Sequence, residues 1–473
     1  MKARQLEKLG IPAPLAKMAK WLTADARKAG MGQLEVRRLL RDLAQNPDDY
    51  RNHGRFGELA TKMSQYRCAA AATAPQDEPR SEPVPWRQWG RDLDAQSIEQ
   101  MHNACQLPVS VAGALMPDAH VGYGLPIGGV LATDGAVIPY AVGVDIACRM
   151  KMTVLDLPPE ALQSQTDRLI HAIERETRFG IGSHFKGKRR EHAVLDEDWN
   201  VSPITRQMKD KAHAQLGTSG SGNHFVEFGI LTLEQDDLGL QAGTYLALLS
   251  HSGSRGTGAN VCSHYSRLAM HLHPNLPRHL RYLAWLDMTT HDGQEYWAAM
   301  QLMGKYAAAN HAMIHHHIAR HLGAQVLADI ENHHNFAWQE THRIGGETKD
   351  VIVHRKGATP AGQGVLGIIP GSMATPCYVA RGKGSAASMH SAAHGAGRVM
   401  SRKKAKQTYR WPQVEKLLKD RGVILLSAGL DEVPFVYKDI DTVMSQQRDL
   451  TEPIARFDPK LVKMAPAGDR PED

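Results

Sequence analysis

The sequence predicts a mixed α/β (α+β) protein, a single large domain preceded by a small helical segment. Three observations carry that reading. Apolar residues near the start recur at three- and four-residue spacing. A stretch rich in Ala, Pro and charge follows, and beyond it short β-prone runs alternate with helical patterns and end in Gly-rich polar loops. The length of 473 residues allows roughly three domains at about 150 residues each, or one large fold with an appendage.

In chain order, residues 1–70 read as helical. Leu6, Leu9, Leu15, Met18, Ala19 and Leu22 keep helical spacing, and Val36, Leu39, Leu40 and Leu43 repeat it. Gly10 and Pro12 divide the first turns from the next, and Asn46-Pro47-Asp48-Asp49 is a breaker. Residues 71–85 read as a linker on their Pro-rich, charged composition. Residues 86–473 form the main domain. Within it, 128–133, 136–140, 245–250, 350–353 and 367–369 read as strands, while 294–321 and 413–421 read as helices.

Composition narrows the class. Hydrophobic residues make up 42% and charged residues 22%, too apolar for a disordered chain. No apolar run approaches the roughly 18 residues of a spanning helix. Lys8, Lys17 and Lys20 interrupt any signal-peptide core, so a cytoplasmic protein without a membrane partner is expected. Five cysteines, Cys68, Cys105, Cys148, Cys262 and Cys377, form neither a disulfide framework nor a CxxC zinc pattern. Against them stand 25 His, the first place to look for metal ligands or acid–base chemistry. A net charge of +6 permits a polyanionic partner without demanding one.

The chemistry-bearing residues lie in Gly-rich polar clusters. Asp145 and Cys148, three apart, would converge on a helix or on irregular backbone, and a thiolate bridges two divalent metals readily. Alone, the pair also fits a buried inert thiol beside a capping carboxylate. His224, His251 and His334 each occupy a different turn; with the pair they make an O, N and S donor set suited to manganese, zinc or cobalt. The run His315-His316-His317 lies in a helical pattern and reads as surface and core, not a site. The glycines of 217–222 and 395–397 permit anion nests, although plain turns are the commoner use. Arg255, Lys356 and Arg398 in the same clusters would meet phosphate or cap local acceptors. His394 is a candidate nucleophile at phosphorus. The basic runs 186–190 and 402–404 read as solvated faces, the second near enough to Arg398 to extend a positive surface.

As a set these segments are recognisable. From about Trp86 onward the chain resembles the RtcB family of RNA-splicing ligases, on MPDAHVGYGLPIGG, GVDIAC, SGNHFVE, HSGSRG, HNFA, HRKGAT, IPGSM, HGAGRVMSR and VYKDI in the family's order. The resemblance implies an RtcB-like domain around a central metal pocket. It implies two Mn2+, one on Asp145, Cys148 and His224 and one on Cys148, His251 and His334, with the thiolate shared. It puts His394 on the nucleotidylated histidine and Asp118 on a carboxylate near the metals that serves ligation. It puts the GMP-binding segments on Asn223, His224, Phe225, Val226, Glu227, His334, Asn335, Pro370, Gly371, Ser372, Met373, Cys377, His394, Gly395, Ala396 and Gly397. Arg255, Lys356 and Arg398 match basic positions that would meet phosphate or RNA.

The implied activity is GTP-dependent joining of RNA 3′-phosphate or 2′,3′-cyclic phosphate ends to 5′-hydroxyl ends through a GMP–histidine. The partners would be tRNA halves or damaged RNA ends, with an archease-type activator. The chain departs from the family at Tyr140, Ala141, Val144, Ala147 and Cys377. It also lacks a clear counterpart of the C-terminal lysine that contacts guanine, Arg470 being the nearest substitute, which leaves GTP and ATP both open. Two other activities stay open beside ligation. One is a metal-dependent cyclic phosphodiesterase, which has no use for His394; the other is a non-catalytic RNA-end binder.

Overall fold

The computed structural model describes residues 5–6, 9–73, 77–187 and 189–468; Arg470 and Lys188 lie outside the described residues. The chain splits into two compact units, Met1–Pro79 with Met270–Pro277, and Arg80–Ala269 with Arg278–Asp473. The boundary therefore falls inside the Pro-rich stretch read as a linker, and the helix Gly57–Thr73 runs into it. Sequence spacing gave no hint that Met270–Pro277 joins the first unit. There the buried Asp77 carboxylate accepts from His273 Nδ1 at 2.6 Å and from the Asn275 amide at 3.1 Å.

The first unit has a core of its own. Leu22, Ala26, Val36, Leu40, Leu43, Phe56 and Leu59 are buried together along Ala16–Lys28, Gln33–Gln45 and Gly57–Thr73. The helix Ala16–Lys28 stops because Gly30 turns left-handed at φ 92°, its amide bonding Arg27 O and the Met31 amide bonding Ala26 O. This paired closure satisfies two orphan carbonyls and requires a residue without a Cβ.

Two sheets organise the second unit. The larger runs in the order Leu366–Ser372, Thr375–Gly382, Thr451–Met464, Phe225–Leu233, Gly243–Ser252, Arg149–Leu155 and Val326–His333, with Ile424–Ser427 parallel beside Thr451–Met464. The smaller runs Trp86–Gln88, Ser110–His120, Ile127–Thr133, Glu347–Lys356 and Asn335–Ile344. Apart from two edge pairings both are antiparallel, so α+β is the apt half of the expected class. Strand alternation divides the apolar side chains between faces. Met150, Met152, Val154 and Leu249 pack on one side of the large sheet. Phe228, Leu246 and Leu248 pack on the other, beneath Leu169 and Ile173 of the helix Thr166–Glu176 and Ile314 and Ile318 of the helix His291–His321.

Four of the expected strands and both expected helices are present within a few residues of their sequence limits. The fifth strand, 136–140, is a correction: only Ala136–Val137 is extended, because Pro139 opens the short helix Pro139–Val142, where its missing N–H costs nothing. In the His run, His315 is buried and His316 exposed, as the helical pattern required. Among the described residues no helix is long and apolar enough to cross a membrane.

Candidate active site

The register of the large sheet creates the site. His224 precedes Phe225–Leu233, His251 sits near the end of Gly243–Ser252, Cys148 precedes Arg149–Leu155, and His334 follows Val326–His333. Because neighbours run antiparallel, with Phe225 opposite His251 and Arg149 opposite both Ser252 and His333, those four ends coincide at one edge. At His334 the chain passes from the large sheet into the small one.

The convergence is close. Cys148 Sγ lies 3.4 Å from His224 Nε2 and 3.1 Å from His251 Nε2. His251 Nε2 lies 3.3 Å from His334 Nε2, and His224 Nε2 lies 3.1 Å from Asp145 Oδ2. The donors thus fall into two halves, Asp145 with His224 and His251 with His334, sharing one sulfur. All five side chains are buried. His251 Nδ1 bonds the Asn223 carbonyl at 3.0 Å, which fixes the tautomer and turns the Nε2 lone pair inward. Burial pushes the His251 ring down to about 3 and holds His334 well below the usual imidazole range, so both rings are neutral at pH 7 and able to act as donors to a metal. Burial opposes charge on Asp145, but the hydrogen bond and charge of His224 still hold its carboxyl below the ordinary value. Nitrogen, oxygen and sulfur donors packed this closely away from water are costly unless hydrogens or a cation lie among them, and this mixed set fits a first-row divalent ion. Cys148, His224 and His251 form the one such group of three among the described residues. Cys105, Cys262 and Cys377 are different, their thiols pushed up by burial.

Asp145 and Cys148 do not share a helix. Ala147 between them is left-handed at φ 57°, and its amide bonds the Asn335 carbonyl at 2.7 Å. Asn335 also accepts from the Gly357 amide and donates to the Asp145 carbonyl, tying three clusters together. Asn tolerates the left-handed region better than Ala, so Ala147 is an uncommon residue for this turn.

A second group faces the first. The strand Ser391–Ala393 pairs with Ala358–Pro360 and delivers His394, whose Nδ1 bonds Asp118 Oδ2 at 2.6 Å. The His394 amide bonds the same oxygen at 3.2 Å. Asp118 is fully buried at a bulge of Ser110–His120, with Lys438 Nζ on the flanking Pro117 and Ala119 carbonyls. The His394 and His334 rings are 4.8 Å apart. Gly397, left-handed at φ 72°, admits no side chain, since a Cβ would stand 1.9 Å from the Asp118 carbonyl.

The five donors and His394 line one cavity of about 740 Å³, with Asp118 buried behind His394 and not on its wall. Of the residues expected from the sequence, Asp145, Cys148, Asn223, His224, Phe225, Glu227, His251, His334 and Asn335 border it, as do Lys356, Pro370, Gly371, Ser372, Met373, Cys377, His394, Gly395, Ala396, Gly397 and Arg398. Val226 does not, because strand alternation turns it into the core. Arg255 does not either: its Nε bonds Thr218 Oγ1 at 3.1 Å and its Nη2 the Gly180 carbonyl at 3.0 Å. Lys356 Nζ bonds the Tyr123 carbonyl at 2.6 Å, and burial brings it down to about 8. Arg398 bonds Glu432 and the Asp431 carbonyl.

The two glycine turns have inward duties. Gly217 and Thr218 amides bond Asn310 Oδ1 at 2.7 and 3.1 Å, and the Ser219 amide bonds Arg178 O. The Ala396 amide bonds Pro370 O at 2.9 Å. These amides are therefore unavailable to an anion. Sequence reasoning missed Asn310, buried on the long helix, whose Nδ2 also bonds the Thr218 carbonyl at 2.9 Å and Ser252 Oγ at 3.2 Å. It joins the loops that carry His224 and His251. Asn310→Ala should cost about 3 kcal/mol in denaturant unfolding, by leaving several buried partners unpaired.

A family model described as tRNA-splicing ligase RtcB matches residues 100–201 and 191–464. The tRNA-splicing ligase RtcB of Thermococcus kodakarensis is 30% identical over 436 residues, covering 77% of this chain and 90% of that protein. The chain belongs to the RtcB family. The RNA-splicing ligase RtcB of Escherichia coli strain K12 is 33% identical over 409 residues, covering 79% of this chain and 96% of its own length. That of Mycobacterium bovis is 32% identical over 431 residues, covering 76% and 98%. Every RtcB motif read from the sequence falls inside the matched ranges.

Proposed function

We propose that this RtcB-family protein seals RNA, joining 3′-phosphate or 2′,3′-cyclic phosphate ends to 5′-hydroxyl ends with GTP and Mn2+ through a GMP–histidine. The observation that carries the reading is His394, its Nδ1 held by buried Asp118, beside the Asp145, Cys148, His224, His251 and His334 donors in one cavity. A cyclic phosphodiesterase would need the donors but not a histidine so held.

With Nδ1–H bonded to Asp118, the free lone pair of His394 is on Nε2. Nε2 attacks the α-phosphorus of GTP, the bond from that phosphorus to the bridging oxygen breaks, and pyrophosphate leaves. Asp118 balances the positive charge that the ring acquires. A 2′,3′-cyclic end is first opened by water, which breaks the bond from phosphorus to O2′; an oxygen of the RNA 3′-phosphate then attacks the same phosphorus as His394 did, the P–N bond breaks, and the histidine returns to its neutral form. Finally the RNA 5′-hydroxyl oxygen attacks the activated 3′-phosphorus, its proton passes to solvent, the anhydride P–O bond to GMP breaks, and GMP departs. When bound at the donor cluster, a pair of divalent ions supplies neutralisation of the charge developing on phosphate oxygens. Lys356 and Arg398, on the cavity wall, add fixed positive charge.

Glu227 supports guanine. Its side chain borders the cavity, and burial alone raises its carboxyl well above the usual carboxylate range, so it favours guanine only where the N–H donors of the base hold it ionised. A guanine edge offers two neighbouring N–H donors that match a carboxylate, whereas adenine places an acceptor there. The only lysine on the cavity wall among the described residues is Lys356, and Lys463 faces away, bonded to Glu174 at 2.9 Å. Base choice therefore rests on Glu227: Glu227→Gln should lower labelling by GTP about tenfold or more while changing labelling by ATP little.

The test is covalent labelling with α-labelled GTP or ATP and manganese, read on a denaturing gel beside His394→Ala. An acid-labile, alkali-stable label absent from the variant is the expected result. A folded, metal-loaded protein that takes no label from either nucleotide, with or without an archease-type activator, would remove the ligase reading.

A further inference from the structure

The aromatic residues at the cavity mouth have no part in the steps above. Val121, Gly122 and Tyr123 form one side of the wall, Gly143 and Val144 another. Tyr282 bridges them: its ring centroid lies 5.9 Å from Tyr123 at 63° and 5.1 Å from Tyr140 at 87°. Tyr140 belongs to the short helix Pro139–Val142 that leads into Gly143. The trio is a built feature. Gly124, left-handed at φ 73°, lets the 121–125 loop press on Tyr282, where a Cβ would meet the Tyr282 carbonyl at 3.0 Å. Lys356 Nζ anchors the loop through the Tyr123 carbonyl.

Two of the rings are nevertheless open to solvent, and Tyr140 is part-buried behind Tyr282. Tyr123 is 60% and Tyr282 45% exposed. Edge-to-face packing leaves ring faces uncovered, since each contact uses only an edge of one partner. Exposed Arg278 and Arg281 flank Tyr282 in the chain, and Arg267 acts electrostatically on the Tyr140 hydroxyl. None of these three arginines has a carboxylate partner among the described residues. Exposed ring faces beside unneutralised cations, continuous with a cavity that contains a candidate phosphorus nucleophile, are the combination that single-stranded nucleic acid recognises.

We propose that Tyr123, Tyr282 and Tyr140 form a stacking platform for the unpaired bases adjoining the RNA end at the cavity. The proposal rests on the RNA-ligase reading and names a subsite for its substrate. Stacking on tyrosine is tolerant of sequence, so the platform selects ends with a few unpaired nucleotides rather than a particular base.

The experiment uses the full chain and a short single-stranded RNA with a 3′-phosphate and 2-aminopurine as its penultimate base. Anisotropy reads affinity, 2-aminopurine quenching reads stacking, and thermal melting reads the fold. Tyr282→Ala and Tyr140→Ala should each weaken binding by about 5- to 100-fold and relieve the quenching, Tyr282→Leu should behave as the alanine variant, and Tyr282→Phe should stay close to the parent. Alanine variants that bind and quench like the parent overturn the platform, as does Tyr282→Leu matching Tyr282→Phe, which points to apolar contact and to a protein partner on this surface. A parent that takes nucleotide label but whose RNA binding ignores these tyrosines overturns the platform alone. A parent with neither label nor RNA binding overturns the ligase reading, and the platform with it.

Discussion

Asp118→Asn should slow nucleotide labelling of His394 on the order of 10³-fold or more while leaving the fold and metal content unchanged. One Asp118 oxygen takes both the His394 ring and backbone N–H groups, at 2.6 and 3.2 Å. Asn preserves the shape but removes the negative charge that balances the ring as its Nε2 bonds to phosphorus. It also offers an NH2 that favours the opposite tautomer, with the lone pair turned away from the cavity. In a buried carboxylate–imidazole pair that change costs about 10⁴ in rate. Rapid-quench labelling measures it directly, with equilibrium metal binding as the control. A loss under tenfold would mean that Asp118 does not orient the nucleophile and serves only later steps, the role the family resemblance suggested for it.

The sequence disclosed the parts of this site but not how they meet. Helix 294–321 and the strands around 245–250 and 350–353 were visible because their periodicity is long and clean. Each histidine alone was ambiguous. Joining His224, His251 and His334 is the work of strand register, which pairs residues far apart in the chain and leaves no local mark. The same holds for Asn310, an apparently ordinary helix residue that clamps two ligand loops. Arg255 takes the second of its two sequence readings, its guanidinium capping the Gly180 carbonyl and Thr218, a choice that a cation among glycines cannot reveal. Motif order could reveal the family. It could not tell that one predicted strand ends at Pro139 or that Met270–Pro277 joins the first unit.

The proposed sharing of one sulfur by two metal ions makes the largest prediction about metal. Cys148 Sγ is the donor common to the Asp145–His224 half and the His251–His334 half. Removing it takes a ligand from both positions at once, whereas Asp145→Asn or His334→Ala takes one ligand from one position. If the proposed pair of Mn2+ ions is bound there, Cys148→Ala should therefore weaken binding of both, by more than the roughly 10- to 100-fold that a supporting residue contributes. Asp145→Asn and His334→Ala should each retain about one ion. Metal analysis after desalting checks the stoichiometry without reference to activity. Co2+ substitution checks the ligand, because a thiolate-to-cobalt band should vanish in Cys148→Ala and persist in Asp145→Asn. If Cys148→Ala keeps two ions, the thiol is not the bridge. The side chain is small and its neighbours stay in place, so melting of the metal-free variant should match that of the metal-free parent. A difference confined to the metal-loaded proteins then locates the lost stability in ligand binding rather than in packing.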